Sequence, residues 1–176
     1  MESNLVITED GSTSIFIPDL DEHYHSVHGA LQESMHVFTG AGLKNRINQT
    51  DSVDILEIGF GTGLNALLTC IMADENKCKV NYTAIEKYPL SKVLISELNY
   101  CSLIDTTNCL QQFNFIHTCD WEEKVEISNY FKLKKYKSDI ADIVFIQQFD
   151  IIYFDAFAPS AQPELWTETI FNSMFK

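Results

Sequence analysis

The sequence predicts one α/β domain built on a parallel sheet wound with helices, and three observations predict it. Strand-like apolar runs alternate with helical patterns from about residue 53 onward. Three of the seven glycines crowd into GFGTG, residues 59–63, between such a run and a helix. Acids close two further runs, Glu86 and Asp155, at the strand ends where open α/β sheets place their ligands.

The elements follow in order. LVIT and SIFI around the turn EDGS read as a hairpin over residues 1–17. PDLDEHYHS is a polar loop. Ser26 then caps a helix through about Phe38, with Val27, Leu31, Met35 and Phe38 at helical spacing. Gly40 and Gly42 in TGAGL are expected to end it. VDILEI, residues 53–58, is a buried-type strand, followed by a helix from about Leu64 to Ala73. KVNYTAIEK is a second strand ending near Glu86, and Pro89 opens a helix to about Leu98. Residues 113–117 and 130–137 read as two more strands, DIADIVF as a short helix, and FDIIYFDAF as a buried strand. Pro163 opens a last helix with Trp166, Ile170 and Met174 on one face. Residues 1–50 therefore form an N-terminal extension, a hairpin and a helix packing on the core, and residues 51–176 form the α/β core.

Composition narrows the function. The 176 residues are 45% hydrophobic and 12% aromatic, enough to bury a core. No apolar run approaches a membrane span, and MESNLVITEDG is not a secretory signal. A cytoplasmic setting and reduced thiols follow for the five cysteines, an odd number without a C-x-x-C pair. The net charge of −13 argues against a broad grip on nucleic acid. KLKKYK, residues 132–137, is the one dense basic run and reads as a solvated strand edge.

The glycine loop carries the chemistry. Gly59, Gly61 and Gly63 permit positive φ and let backbone approach a ligand closely. Their G-x-G-x-G spacing matches neither the dinucleotide fingerprint nor a P-loop, which needs a lysine and a hydroxyl residue. Glu57 before the loop would repel a pyrophosphate and suits a cationic group. Glu86, 23 residues beyond Gly63, is placed to accept hydrogen bonds from ribose hydroxyls. Together they favour a phosphate-free nucleoside with a positive centre, which S-adenosylmethionine is. Asp155 in YFDAFAP ends a buried strand at the same crevice. There a carboxylate can orient an amine and take its proton during methyl transfer. HYHSVH, residues 23–28, holds three histidines without a common zinc spacing, so no metal is assigned and the loop is read as lining the site or as surface.

EIGFGTGLNALL, IEKYPL, YFDAFAPSAQPELWT and YHSVHGALQESMHVF closely resemble the methyltransferase family that completes 5-methylaminomethyl-2-thiouridine in tRNA. Elsewhere that enzyme stands alone or forms the N-terminal half of a bifunctional protein. The resemblance runs from about residue 20 and implies a Rossmann-like class I S-adenosylmethionine-dependent methyltransferase sheet. It also implies a tRNA substrate, S-adenosylhomocysteine as product, and N-methylation of 5-aminomethyl-2-thiouridine at the wobble position. It places Glu57, Gly59, Phe60, Gly61, Thr62 and Gly63 in the cofactor loop, Glu86 on the ribose and Asp139 near the adenine. Asp155 falls at the active centre, with Phe157, Ala158 and Pro159 shaping the pocket and Tyr24, Ser26 and Glu33 helping to close it. Family members continue past FNSMFK with a PGG turn, further strands and a basic segment, so the sheet is expected to lack its C-terminal strands. The flavin-dependent half has no counterpart here, so no FAD is expected. Two other readings stand beside this one: a small-molecule N-methyltransferase, and a truncated chain that binds cofactor without catalysis.

Overall fold

The structure, a computed structural model, describes residues 3–174. A small antiparallel sheet opens the chain: β1 (Asn4–Ile7), β2 (Thr13–Ile17) and β3 (Glu22–His23), in the order β1-β2-β3. A five-stranded sheet follows, built from β4 (Ser52–Ile58), β5 (Lys79–Glu86), β6 (Lys124–Glu126), β7 (Phe131–Lys137) and β8 (Ile151–Phe154). Its order is β6-β7-β5-β4-β8. All neighbours pair in parallel except β6, which runs antiparallel to β7. From β4 the chain moves outward through β5 and β7 and then returns to β8 on the other side of β4. The strand order therefore reverses at β4, and a crevice opens there beyond the carboxyl ends of the strands.

Strand alternation divides the sheet into two faces. Val53 and Ile55 of β4, Val80, Tyr82 and Ala84 of β5, Phe131 and Leu133 of β7, and Tyr153 of β8 join the larger core. Helices cover this face: α1 (Ala30–Glu33), α2 (Lys44–Ile47), α3 (Leu64–Asn76) and α6 (Cys109–Thr118). Two short helices, α4 (Lys92–Ser96) and α5 (Tyr100–Leu103), lie between β5 and α6. Leu56, Ile58 and Ile85 point the other way and pack with Ile140, Ile170 and Met174, the last two from α7 (Glu168–Met174). Among the described residues, no helix is long and apolar enough to cross a membrane.

Several elements depart from expectation. The N-terminal helix begins at Ala30 rather than Ser26, with Gly29 at its N-cap. It also runs through TGAGL: residues 34–43 are wound as a wide π-helix that joins α1 to α2. Gly42 serves close packing there, since a Cβ would stand 3.1 Å from the Tyr153 ring. Residues 113–117 lie inside α6 and form no strand. Cys109, Gln112, Phe113 and Ile116 are its buried residues, a three- and four-residue spacing that overrides the β-like look of FNFIH. Helix α4 starts after Ser91, whose hydroxyl accepts from the Leu94 amide, and not at Pro89. DIADIVF contributes only a 3₁₀ turn, Ile140–Asp142. Pro163 opens another, Pro163–Leu165, so Trp166 precedes α7 instead of lying on its face.

KLKKYK is not a solvated edge, because β7 lies between β6 and β5. Lys135 shares the inward face with Phe131 and Leu133 and is 1% exposed. Its ammonium donates to the carbonyls of Ile116 (2.7 Å) and His117 (3.3 Å) in the last turn of α6 and lies 4.7 Å from the centre of the Trp121 ring. It therefore satisfies the negative end of that helix.

Candidate active site

The crevice at the strand reversal encloses about 550 Å³, within the range of small-molecule sites. The GFGTG loop forms its floor. Gly59, Gly61 and Gly63 have φ of 89°, 48° and 72°, all in the region that favours glycine. The Gly59 and Phe60 amides donate to the Ile85 carbonyl at 3.0 and 3.3 Å, which holds the loop over β5. A Cβ at Gly59 would collide with the carbonyl oxygen of Asp155. Gly63 is the left-handed N-cap of α3 and faces His117 rather than the crevice, whereas Gly59, Phe60, Gly61 and Thr62 line it.

Glu86 ends β5 on the crevice wall. One carboxylate oxygen accepts from the Gly61 amide at 3.0 Å and the other from the Tyr88 amide at 2.7 Å. Each oxygen keeps further lone-pair capacity for hydroxyl groups. Asp139 also lines the crevice, accepting from Lys87 at 2.8 Å and from the Ala141 amide at 3.0 Å. The Lys87 ammonium holds its carboxyl below the usual range.

The opposite wall comes from the segment before α1 and the loop after β8. Tyr24 lies 3.1 Å from the position a Gly61 Cβ would occupy and meets Phe157 edge to face, with ring centres 5.1 Å apart. Burial, helped by the Glu86 charge, pushes its hydroxyl up to about 12. Glu33 accepts from the Ser26 amide at 2.7 Å, which ties the loop to α1. Ser26, Glu33, Phe157 and Ala158 all line the crevice. The Phe157 amide donates to Gln162 and its carbonyl accepts from the Trp166 indole at 2.8 Å, which braces the DAFAP turn. Pro159 lies exposed outside the wall, because that turn carries it away from the crevice.

Asp155 emerges just past β8. Burial pushes its carboxyl up to about 7. Glu57, expected among the cofactor residues, lies elsewhere. Strand alternation puts it with Val53 and Ile55 beneath α3, 0% exposed, and not on the crevice wall. Burial drives its carboxyl well above the usual range, with Asp155 adding to the effect.

Asn65, which the sequence pattern did not single out, connects the two acids. Its amide nitrogen lies 3.1 Å from Glu57 Oε1 and 2.8 Å from Asp155 Oδ2. The available signal was a lone polar residue in the apolar opening of α3, LNALL. The histidines of HYHSVH all line the crevice but take different partners. His25 pairs with the Thr62 hydroxyl at 2.8 Å and burial lowers it to about 4, His28 pairs with Glu9 at the surface, and His23 packs on Phe16. Among the described residues, no three His, Cys, Asp or Glu side chains come together as a metal site.

This strand order, with a glycine loop at the reversal and an acid closing the next strand, is the Rossmann-like fold of S-adenosylmethionine-dependent methyltransferases. The family model described as S-adenosyl-L-methionine-dependent methyltransferase matches residues 106–176. Over 169 residues the chain is 28% identical to the tRNA 5-methylaminomethyl-2-thiouridine biosynthesis bifunctional protein MnmC of Leptospira borgpetersenii, covering 88% of this chain and 25% of that protein. The protein of the same name in Burkholderia thailandensis is 29% identical over 191 residues, covering 99% of this chain and 28% of its own length. The crystal structure of MNMC2 from Aquifex aeolicus superposes with a TM-score of 0.80 at 24% identity, covering 99% of this chain and 56% of that one. The chain thus resembles the methyltransferase family of tRNA 5-methylaminomethyl-2-thiouridine synthesis over most of its length, and it spans about a quarter of the curated relatives' length.

Proposed function

We propose that this chain transfers a methyl group from S-adenosylmethionine to the aminomethyl nitrogen of a 5-aminomethyl-2-thiouridine at the tRNA wobble position, in the cytoplasm. The observation that carries the reading is Asp155. It is a carboxylate held near neutral pKa at the strand reversal, on the same crevice as Glu86 and the glycine loop. The similarity to MnmC proteins supplies the substrate class.

The residues fit the donor. Glu86 suits the ribose hydroxyls, the glycine loop leaves room for close approach, and Asp139, which lines the same crevice, suits the adenine. When bound, S-adenosylmethionine supplies an electrophilic methyl on a sulfonium. Residues 1–50 act as the extension that closes this crevice over the 51–176 core, with Tyr24 and Phe157 as an aromatic wall and Ser26 and Glu33 fixing its rim. Asp155 accepts the proton that the acceptor nitrogen sheds as the new N–C bond forms and the C–S bond breaks. Its ionised form is needed, so turnover rises with pH through about 7.

The test uses tRNA from cells unable to install the methyl group, with labelled donor. Transfer of label to tRNA is expected. Cofactor binding without transfer would overturn the substrate assignment. Asp155→Asn should lower turnover by about 10²-fold or more while leaving cofactor affinity largely intact. The net charge of −13 favours a second reading, N-methylation of a small amine. Label appearing on free nucleoside in preference to tRNA would select it.

A further inference from the structure

Glu57 lies on β4 and Asp155 directly follows the adjacent β8, and both reach a residue in the first turn of α3. Between them stands one side chain, Asn65, 3% exposed. An amide nitrogen carries two hydrogens, and here two carboxyl oxygens lie within reach, one on each side. Asp155 Oδ2 is thereby tied down, while Oδ1 takes no hydrogen bond among the described residues. Behind the amide, Tyr82 and Tyr153 stand near the Glu57 carboxyl, and Glu57 Oε2 lies within no hydrogen bond among the described residues.

We propose that Asn65 positions Asp155 for the acceptor nitrogen, and that Glu57 is the buried anchor of Asn65 rather than a cofactor ligand. This rests on the reading of Asp155 as the acid of the methyl transfer. The division of labour is geometric. One oxygen of Asp155 is held by the amide, which restrains rotation of the carboxylate and leaves the other oxygen free for the acceptor. Burial of Glu57 suits this arrangement, because it favours the protonated form, which accepts from Asn65 without adding a second negative charge beneath Asp155. Of the charged or titratable groups that line the crevice, Glu33 of α1 acts on Asp155 and raises its carboxyl further, while Glu86, Lys87, Asp139, His25 and Tyr24 line the same crevice. None of them touches the Asn65 amide.

The experiment is a carbon-13 carboxyl titration of the full chain by NMR, with the Asp155 signal assigned by its loss in Asp155→Asn. Asn65→Leu removes both hydrogen bonds at similar volume, and the Asp155 midpoint should rise by about one pH unit from its wild-type position. An unmoved midpoint in folded Asn65→Leu overturns the positioning role. Should that variant fail to fold, Asn65→Ser, smaller and still a donor, is titrated instead. It should give a partial upward shift, and none overturns the role equally. Glu57→Gln separates anchor from ligand by calorimetry with S-adenosylmethionine. Affinity within about threefold of wild type is expected, and a loss beyond about tenfold, the size expected when a ligand-bonding group is removed, overturns the anchor assignment. In turnover, Asn65→Leu should lower kcat at unchanged KM for the donor and move the pH profile upward. If Asp155→Asn retains full transfer, the reading of Asp155 fails while the titration still reports on Asn65, so the two failures are distinguishable.

Discussion

Gly59 turns under the end of β8 with φ of 89°, and the backbone of Asp155 occupies the space a side chain would need. Conformation and contact both exclude a larger residue, so Gly59→Ala should cost at least about 2 kcal/mol, read by urea denaturation, and abolish cofactor binding. The need for these glycines was legible in the sequence, because only glycine relieves a tight turn between strand and helix without strain. The role of Glu57 was not. Its neighbourhood to the glycines suggested the crevice, but a period of two puts it on the face of Val53 and Ile55. Asn65 was hidden for a related reason: its value depends on two acids that only the parallel pairing of β4 and β8 brings under one helix turn.

At the scale of elements, Lys135 decides how α6 ends. Its ammonium replaces water for two carbonyls of the last turn and lies beside the Trp121 ring. Lys135→Met keeps much of the bulk and removes those bonds. A loss of about 1–3 kcal/mol is expected, measured by urea denaturation at neutral pH, with no loss if the lysine is merely accommodated. The strands β4, β5 and β8 were readable as apolar runs closed by polar ends, and β7 as a strand within residues 130–137 in spite of its lysines. Helix α6 resembles a strand at FNFIH because that stretch is rich in aromatic and β-branched residues, and only the longer window from Cys109 carries the helical spacing. The glycines of TGAGL misled in the opposite direction. Gly42 is there for contact with Tyr153, and a packed, wide helix accommodates what an exposed one would not.

At the scale of the molecule, the N-terminal sheet is tied to the core by polar contacts. Asn99 bonds both Thr13 and the Gly11 carbonyl, and His25 reaches Thr62 of the glycine loop. Burial lowers His25 to about 4, below the ordinary value of 6.5, so the unfolded chain binds the extra proton between those values. Its contribution is therefore full above about pH 6.5 and is lost as pH falls toward 4. The stability difference between the wild type and His25→Asn should shrink over that window, followed by urea denaturation at several pH values. A difference independent of pH would mean that His25 is not held neutral. Asp155 has the opposite sign, since a raised carboxyl favours the folded state at low pH, but it is common to both proteins and cancels in the difference.

By itself the sequence determined the alternation of strands and helices, the glycine loop, and the acids Glu86 and Asp155 at strand ends, because these depend on local backbone freedom and apolar periodicity. Tertiary structure decided which polar groups meet. It put Glu57 beneath α3 and Lys135 against α6, and it joined Asn65 to Asp155. The physical reason is that a buried polar group must find its partner across the fold, and that partner is set by strand order and register rather than by neighbours along the chain.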